Sequence, residues 1–310
     1  VARDVHFFFW RFVRGSSLEM KEKAASVSAC ELDELRELIV ERSGISFDAA
    51  GERFFSTRVR DYVTEKKLRS VADLLRTVHG SSAEYDAMIE GLLTQDTSFF
   101  RYPGVFEALA KKIVPELQEN KFWDNPRTLR IWSAACSTGE EAYSIAIAVA
   151  DALPFAEAWR IEILATDISR RALQHAERGV YSGRSLENLN AQQLENYFTK
   201  TRHGYVVKPR IRRMVTFTPM NLSRAVYVGR MDCIFCMNVL MYFSQERRNS
   251  ILQRFSECLE PGGYFLLGHA ESLDGTSVRL ERLVLGDCQI YRKPAKDGAI
   301  RHAVVAEGSL

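Results

Sequence analysis

A chain of 310 residues, 46% of them hydrophobic and 26% charged, has the composition of an ordinary globular protein and is long enough for two modest domains. Its formal net charge of +2 is too small to mark a nucleic-acid binder by itself, so any electrostatic message must come from local clusters. No apolar run approaches the roughly 20 residues that a membrane-spanning helix needs.

The chain opens on "VARDVHFFFWRFVRGSSLE", an aromatic knot interrupted by Arg11 and Arg14. It has neither the clean apolar stretch nor the small-residue cleavage site of a signal peptide. Residues 1–29 are therefore expected to be an extension, poorly ordered or upstream of the natural start.

Residues 30–100 read as an all-helical domain of four helices. In "ELDELRELIVERSGI", Leu32, Leu35, Leu38 and Ile39 fall on one face, and the pattern stops near Gly44. "GERFFSTRVRDYVTEKKL" follows, with Phe55, Val59 and Tyr62 on one side. Arg53, Arg60 and Lys67 recur at intervals of seven on the other. Next come "SVADLLRTVHG", with Ser70 as N-cap, and "SAEYDAMIEGLLTQ".

From residue 101 to 293 strand-like runs alternate with helices. The strands are "LRIWSA", "RIEILATDI", "MVTFTPMNL", "MDCIFCMNVLMYF", "GGYFLLGHAE" and "CQIYRK". Such alternation predicts an α/β fold with a doubly wound, mostly parallel sheet. Residues 294–310 lack periodicity and read as a loose tail. Among the six cysteines (Cys30, Cys136, Cys233, Cys236, Cys258, Cys288) only Cys233 and Cys236 are close in sequence. On a strand those two face opposite sides, and no partner pair completes a zinc site. They are read as reduced thiols of a cytosolic protein, with no metal bound.

The chemistry centres on "WSAACSTGEEAYS", Trp132 to Ser144, which reads as strand, tight loop, helix. Glutamates stand where a phosphate loop of the ATPase type has lysine and serine or threonine, so a triphosphate would be repelled. The glycine pattern that cradles a pyrophosphate is also missing, which leaves a dehydrogenase as the weakest reading. Small residues (Ser133, Ala134, Ala135, Ser137, Gly139) keep the loop thin. A thin, nucleoside-like, cationic ligand such as S-adenosylmethionine (SAM) fits better. Glu141 would answer its positive charge, or merely favour the start of a helix.

Asp167 closes the second strand, where an acid commonly holds ribose hydroxyls; it could equally cap the next helix, as could Ser169. Asn238 and Val239 follow a later strand and could present an amide to a ligand or only make a turn. "LEPGGYFLL" contains a Pro-Gly-Gly turn before a strand.

Together these segments resemble the chemotaxis receptor glutamate methyltransferases, the CheR family, over residues 30–293. The resemblance rests on "LTQDTSFFR", "IWSAACSTGEEAYS", "ATDIS", "MNL", "MNVLMYF" and "LEPGGYFLLGHAES" in that order. It implies a class I SAM-dependent methyltransferase fold with a small β-subdomain insertion at 200–218. It also implies transfer of a methyl group to receptor glutamates, with S-adenosyl-L-homocysteine as the product. By position in the motifs, the cofactor contacts would be Gln95, Thr97, Arg101, Glu141, Asp167, Asn221, Leu222, Asn238 and Val239. Gln95 stands where the family has Asn, Met237 where it has Arg, and Ala142 where Pro is common.

Arg101 would help position cofactor or substrate carboxylate, and Tyr242 would line the methyl-transfer site or simply belong to the core. A glutamate is already ionised at neutral pH, so no catalytic base is required, and no Ser/His/Asp or Cys/His arrangement is evident.

The implied partners are methyl-accepting chemoreceptors at arrays on the inner membrane, with the enzyme itself cytoplasmic. The Arg53, Arg60 and Lys67 stripe would steer towards an acidic receptor helix, or be only a solvated face. The basic stretch "KTRHGYVVKPRIRR" matches the place of the subdomain that grips a receptor tether in some relatives, but looks short, so recognition without the tether is expected. Two alternatives remain open on the residues: a non-catalytic SAM-binding module, and an RNA methyltransferase. The second is weakened by the small net charge and the lack of an aromatic platform.

Overall fold

A computed structural model of the protein describes residues 28–47, 51–93, 96–124, 126–224, 228–285 and 288–295. Gln95, the extension up to residue 27 and the tail beyond residue 295 lie outside the described residues.

The helical unit comprises α1 (Ala29–Ser43), α2 (Glu52–Glu65), α3 (Val71–Gly80) and α4 (Ser82–Leu92). The helix α1 stops at Gly44, whose φ of 75° lets its N–H reach the Val40 carbonyl. Ser70 caps α3 by accepting from the Asp73 N–H. Leu35, Leu38 and Ile39 are buried, as are Phe55, Val59 and Tyr62, so both expected apolar faces turn inward. Arg53 and Arg60 are exposed on α2. Lys67 departs from the expected stripe. It lies beyond the end of α2 with φ 56°, so helical spacing does not align it with the two arginines.

The chain continues through α5 (Pro103–Ala108), a π-helical turn at Leu109–Ile113, and α6 (Val114–Asn120). The strands β1 (Thr128–Ala134) and β2 (Arg160–Asp167) flank α7 (Glu140–Ala152), and α8 (Arg170–Arg178) follows. An insertion holds β3 (Val180–Tyr181), α9 (Ala191–Tyr197), β4 (Phe198–Thr201) and β5 (Gly204–Val207). Then come α10 (Pro209–Arg212), β6 (Val215–Pro219), β7 (Met231–Cys236), α11 (Gln245–Cys258), β8 (Leu259–Leu267), β9 (Glu281–Leu285) and β10 (Cys288–Arg292).

The main sheet has the order β6-β2-β1-β7-β8-β10-β9, parallel from β6 to β8, with β10 antiparallel to β8 and to β9. From β1 the chain winds outward to β2 and β6 on one side and to β7 and β8 on the other. The crevice beyond the carboxyl ends of β1 and β7 is thus a topological switch point, where open α/β sheets bind ligands.

Two of the expectations change here. The separate three-stranded sheet is β3-β5-β4, so it begins at residue 180 and ends at 207. The stretch 215–219, placed at sequence level in the 200–218 subdomain, pairs with β2 in the main sheet instead. Its alternating β-branched and aromatic residues suit either sheet, and the hydrogen-bonded edge of β2 is what takes it. The Pro261-Gly262-Gly263 run is also inside β8, as an irregularity opposite Met231 and Cys233, rather than a turn ahead of the strand.

Alternation along the strands separates two cores. On β1, Leu129 and Ile131 join the core that includes α7, whereas Trp132 and Ala134 join the one containing the helical unit and α11. Cys233 and Cys236 fall one in each, as a strand requires. The helical unit therefore shares a continuous core with one face of the sheet. It is also tied to the site by hydrogen bonds. The Ser46 N–H donates to the Tyr242 carbonyl at 2.8 Å, and Glu90 Oε1 accepts from Ser169 Oγ (2.7 Å) and the Arg171 N–H (2.9 Å). No described helix is long and apolar enough to cross a membrane.

Candidate active site

A cavity of about 510 Å³ lies at the switch point, walled by the helical unit, the 96–106 segment and the loops that follow β1, β2, β6 and β7. Its lining includes Thr97, Arg101, Glu141, Asp167, Asn221, Leu222, Asn238, Val239 and Tyr242. The structure thus brings the expected residues to one cavity, apart from Gln95, which lies outside the described residues.

The loop after β1 is strapped to the end of β2. The N–H groups of Ala135 and Cys136 both donate to the Thr166 carbonyl, at 2.8 and 2.9 Å. The Ser137 N–H then donates to Asp167 Oδ2 at 2.8 Å, while Asp167 Oδ1 accepts from the Ser169 N–H at 2.9 Å. Following the chain this closely puts Ala135 (φ 69°) and Ser137 (φ 49°) in the left-handed region, a strain that persists only where the surroundings over-determine it. Gly139, with φ 95°, fits because a Cβ there would meet the Ala176 Cβ at 2.6 Å. Ser169, not Asp167, caps α8 by accepting from the Ala172 N–H.

The two adjacent glutamates divide their work. Glu140 is buried, receives the hydroxyls of Thr138 (2.6 Å) and Ser185 (3.0 Å), and ties the insertion to α7. Glu141 accepts from Ser133 Oγ at 2.6 Å and faces the cavity. Burial pushes the Glu141 carboxyl up to about 7, while the Ser133 hydroxyl and the Arg101 guanidinium act in the opposite direction and Glu271 adds to the rise. Burial also raises Asp167, against the backbone N–H groups that hold it. Each acid keeps a part-exposed edge towards the cavity and is otherwise enclosed by protein.

Arg101 donates to the Asp96 carbonyl at 2.5 Å and lies 5.5 Å over the Tyr102 ring. Tyr102 in turn donates to Asn238 Oδ1 at 2.7 Å. Asn238 itself has φ 61°, and Asn221 Oδ1 closes its own turn by accepting from the Ser223 N–H. Tyr242 is half-buried at the end of a short 3-10 turn, Leu240–Tyr242, on the same wall. Met237, buried, occupies the lining where the family pattern has arginine.

Three participants escaped the sequence reading. Tyr102 stands next to Arg101 but carries no motif of its own. Glu90 joins the helical unit to α8 across 79 residues. Glu271 was within a quoted motif, yet nothing in "GHAES" reveals that its carboxylate turns back to the loop after β7.

The donor set fits a cationic, nucleoside-like group. A buried carboxyl with its ionisation held near neutrality is stabilised as the anion by a cation beside it. Ser137 Oγ is buried at the cavity wall without a hydrogen-bond partner, a hydroxyl available to a ligand. No group of three metal-ligating side chains comes together among the described residues.

Comparison with known proteins agrees. Residues 95–286 match the family model "CheR methyltransferase, SAM binding domain", and residues 31–93 match "CheR methyltransferase, all-alpha domain". The chain is 34% identical to a chemotaxis protein methyltransferase of Vibrio parahaemolyticus, covering 87% of this chain and 98% of the relative. It is 33% identical to chemotaxis protein methyltransferase 1 of Vibrio cholerae, with the same coverage. To the chemotaxis protein methyltransferase of Escherichia coli it is 35% identical, over 82% of this chain and 88% of that one. With both domains matched in order around a cavity suited to SAM, the chain belongs to the CheR family of SAM-dependent chemotaxis methyltransferases.

Proposed function

We propose that this chain methylates glutamate side chains of methyl-accepting chemoreceptors, forming methyl esters, with its cavity residues in the following roles. The observation that carries the reading is one cavity lined by a buried acid stabilised by a cation (Glu141), an acid at the end of the adjacent strand (Asp167), and the Arg101 and Tyr242 pair. Bound SAM supplies an electrophilic methyl group on a sulfonium. Glu141 answers the cofactor's positive charge, Asp167 accepts from its ribose hydroxyls, and Asn238 offers its amide. Thr97, Asn221, Leu222 and Val239 complete the walls, and Gln95 belongs with them by its place in the motif.

Arg101 attracts and orients the incoming carboxylate, and Tyr242 lines the side from which it arrives. The substrate glutamate, with an ordinary pKa of about 4.3, needs no base. In keeping with this, the described lining contains neither histidine nor lysine, and burial pushes the Cys136 thiol well up, so it is no nucleophile. The residues' task is alignment and exclusion of water, a contribution of roughly 7–11 kcal/mol when alignment is good.

The exposed Arg53 and Arg60 of α2 would steer the enzyme to an acidic receptor helix. The β4–β5 hairpin turns through only Arg202 and His203, which supports recognition without a receptor tether, and neither metal nor nucleic acid takes part. The enzyme would act in the cytoplasm at receptor arrays.

The deciding experiment is transfer of radiolabelled methyl from SAM to chemoreceptor-containing membranes, with and without chelator and with receptors lacking their C-terminal peptide. Base-labile label on the receptor, unchanged in both variations, is expected. SAM binding by calorimetry without label on any receptor would overturn the proposal.

A further inference from the structure

The carboxylate of Glu271 is a buried group that the reaction as described does not use. It follows β8, only 7% of its surface is exposed, and it does not line the cavity. Its two oxygens nevertheless collect four backbone N–H groups. Oε2 accepts from Asn238 (2.8 Å) and Gly268 (3.0 Å), and Oε1 accepts from Val239 (3.0 Å) and Leu240 (2.7 Å). Three successive N–H groups converging on one anion make a nest, here filled by a side chain from 31 to 33 residues away.

The nest accounts for the shape of the wall it supports. Asn238 is held at φ 61°, which a non-glycine residue adopts under constraint, and the chain then turns through Leu240–Tyr242. Two further groups complete the cage. Tyr102 Oη holds Asn238 Oδ1, which fixes the direction of the amide. Gly268 passes close behind: a Cβ there would stand 2.9 Å from Glu271 Oε2, 3.0 Å from the Asn238 nitrogen and 3.1 Å from Asn238 Nδ2. His269 packs edge-on against Tyr102 with ring centroids 4.7 Å apart, so the turn carrying Glu271 also braces the tyrosine.

We propose that Glu271 is the positioning residue for the 238–242 wall. By binding the N–H groups of Asn238, Val239 and Leu240 it sets both the Asn238 amide for the cofactor and Tyr242 for methyl transfer. This rests on the function proposed above for those two residues. A hydrophobic core alone would bury the segment but would leave three N–H groups unsatisfied and the turn free to relax.

The test is Glu271→Gln. The amide keeps the size of the carboxylate but presents an NH₂ group to two of the N–H donors. Measured on the full chain are SAM affinity by calorimetry, methyl transfer to receptors at saturating SAM, amide hydrogen exchange and thermal unfolding. The expected result is a folded protein with faster exchange confined to 238–242. SAM should bind about tenfold more weakly, and kcat should fall by about tenfold even when SAM saturates. If Glu271→Gln does not fold, Gly268→Ala pushes on the same carboxylate through its new Cβ and should give the same pattern.

Affinity and kcat within twofold of wild type in the folded variant, or a lowered unfolding temperature with no kinetic change, would overturn the positioning role. Because SAM affinity is read without receptor, a wild-type protein that fails to label receptors would sink the proposed substrate and still leave the role of Glu271 decided.

Discussion

Two loops line the same cavity and are built by opposite means. The loop after β1 (residues 135–139) is held by its immediate neighbours in the sheet, the Thr166 carbonyl and the Asp167 carboxylate at the end of β2. Its small residues and its glycine are the device, and all are visible in sequence. The segment after β7 (residues 237–242) has no such neighbour. It takes its shape from Glu271, Tyr102 and Gly268, which arrive from distant parts of the chain. The first loop is specified by what it lacks in side-chain volume, the second by a buried charge that replaces a strand edge.

The largest effect should come from breaking the first loop where it has no freedom. Gly139→Val places a branched side chain at φ 95° and against the Ala176 Cβ at 2.6 Å. We expect loss of measurable SAM binding and a stability loss of about 2–4 kcal/mol, read by calorimetry and denaturant unfolding.

Asp167→Ala comes next. It removes the acceptor of the Ser137 and Ser169 N–H groups together with the proposed ribose contact. SAM affinity should drop by about 100-fold, a loss of about 2.7 kcal/mol, with methyl transfer recoverable at high SAM. An unchanged dissociation constant would remove Asp167 from the cofactor site.

Glu141 sharpens the comparison through pH. Its folded pKa of about 7 lies above the ordinary 4.5, so between those values the folded protein holds more protons than the unfolded one. The ligand-free enzyme therefore loses stability as pH rises through that window, by at most on the order of 3 kcal/mol. A cation in the cavity favours the carboxylate, so SAM affinity should rise over the same range and level off above about pH 7. Glu141→Gln should flatten both trends. A pH-independent affinity in the wild type would show that Glu141 does not meet the positive charge.

The smallest effect lies outside both loops. Arg53→Glu with Arg60→Glu should lower kcat/KM for receptor by a few-fold at low salt, with SAM affinity unchanged, and the difference should shrink as salt screens it. A salt-independent result would mean that this face is only solvated.

Much of this architecture was legible because it follows local rules. The helical unit showed in its apolar spacing and in Ser70 and Gly44 at helix ends, and the alternation of strands and helices announced a doubly wound sheet. Thr97, Arg101, Glu141, Asp167 and Asn238 stood in recognisable motifs. Lys67 was misplaced because the helix carrying Arg53 and Arg60 ends one residue too soon, where φ turns positive. The stretch 215–219 was put in the wrong sheet because its pattern suits a strand without naming the partner.

What the sequence determined by itself was the periodicity that sorts Leu129 from Trp132 and Cys233 from Cys236, and the thinness of the loop around Gly139. What only the tertiary structure decided was which distant carboxylates turn inward: Glu90 onto α8, Glu140 onto the insertion, Glu271 onto the wall of the site. An acidic residue in a loop reads as a solvated charge until the fold removes the water. It then binds whichever N–H and O–H groups the packing has left without partners.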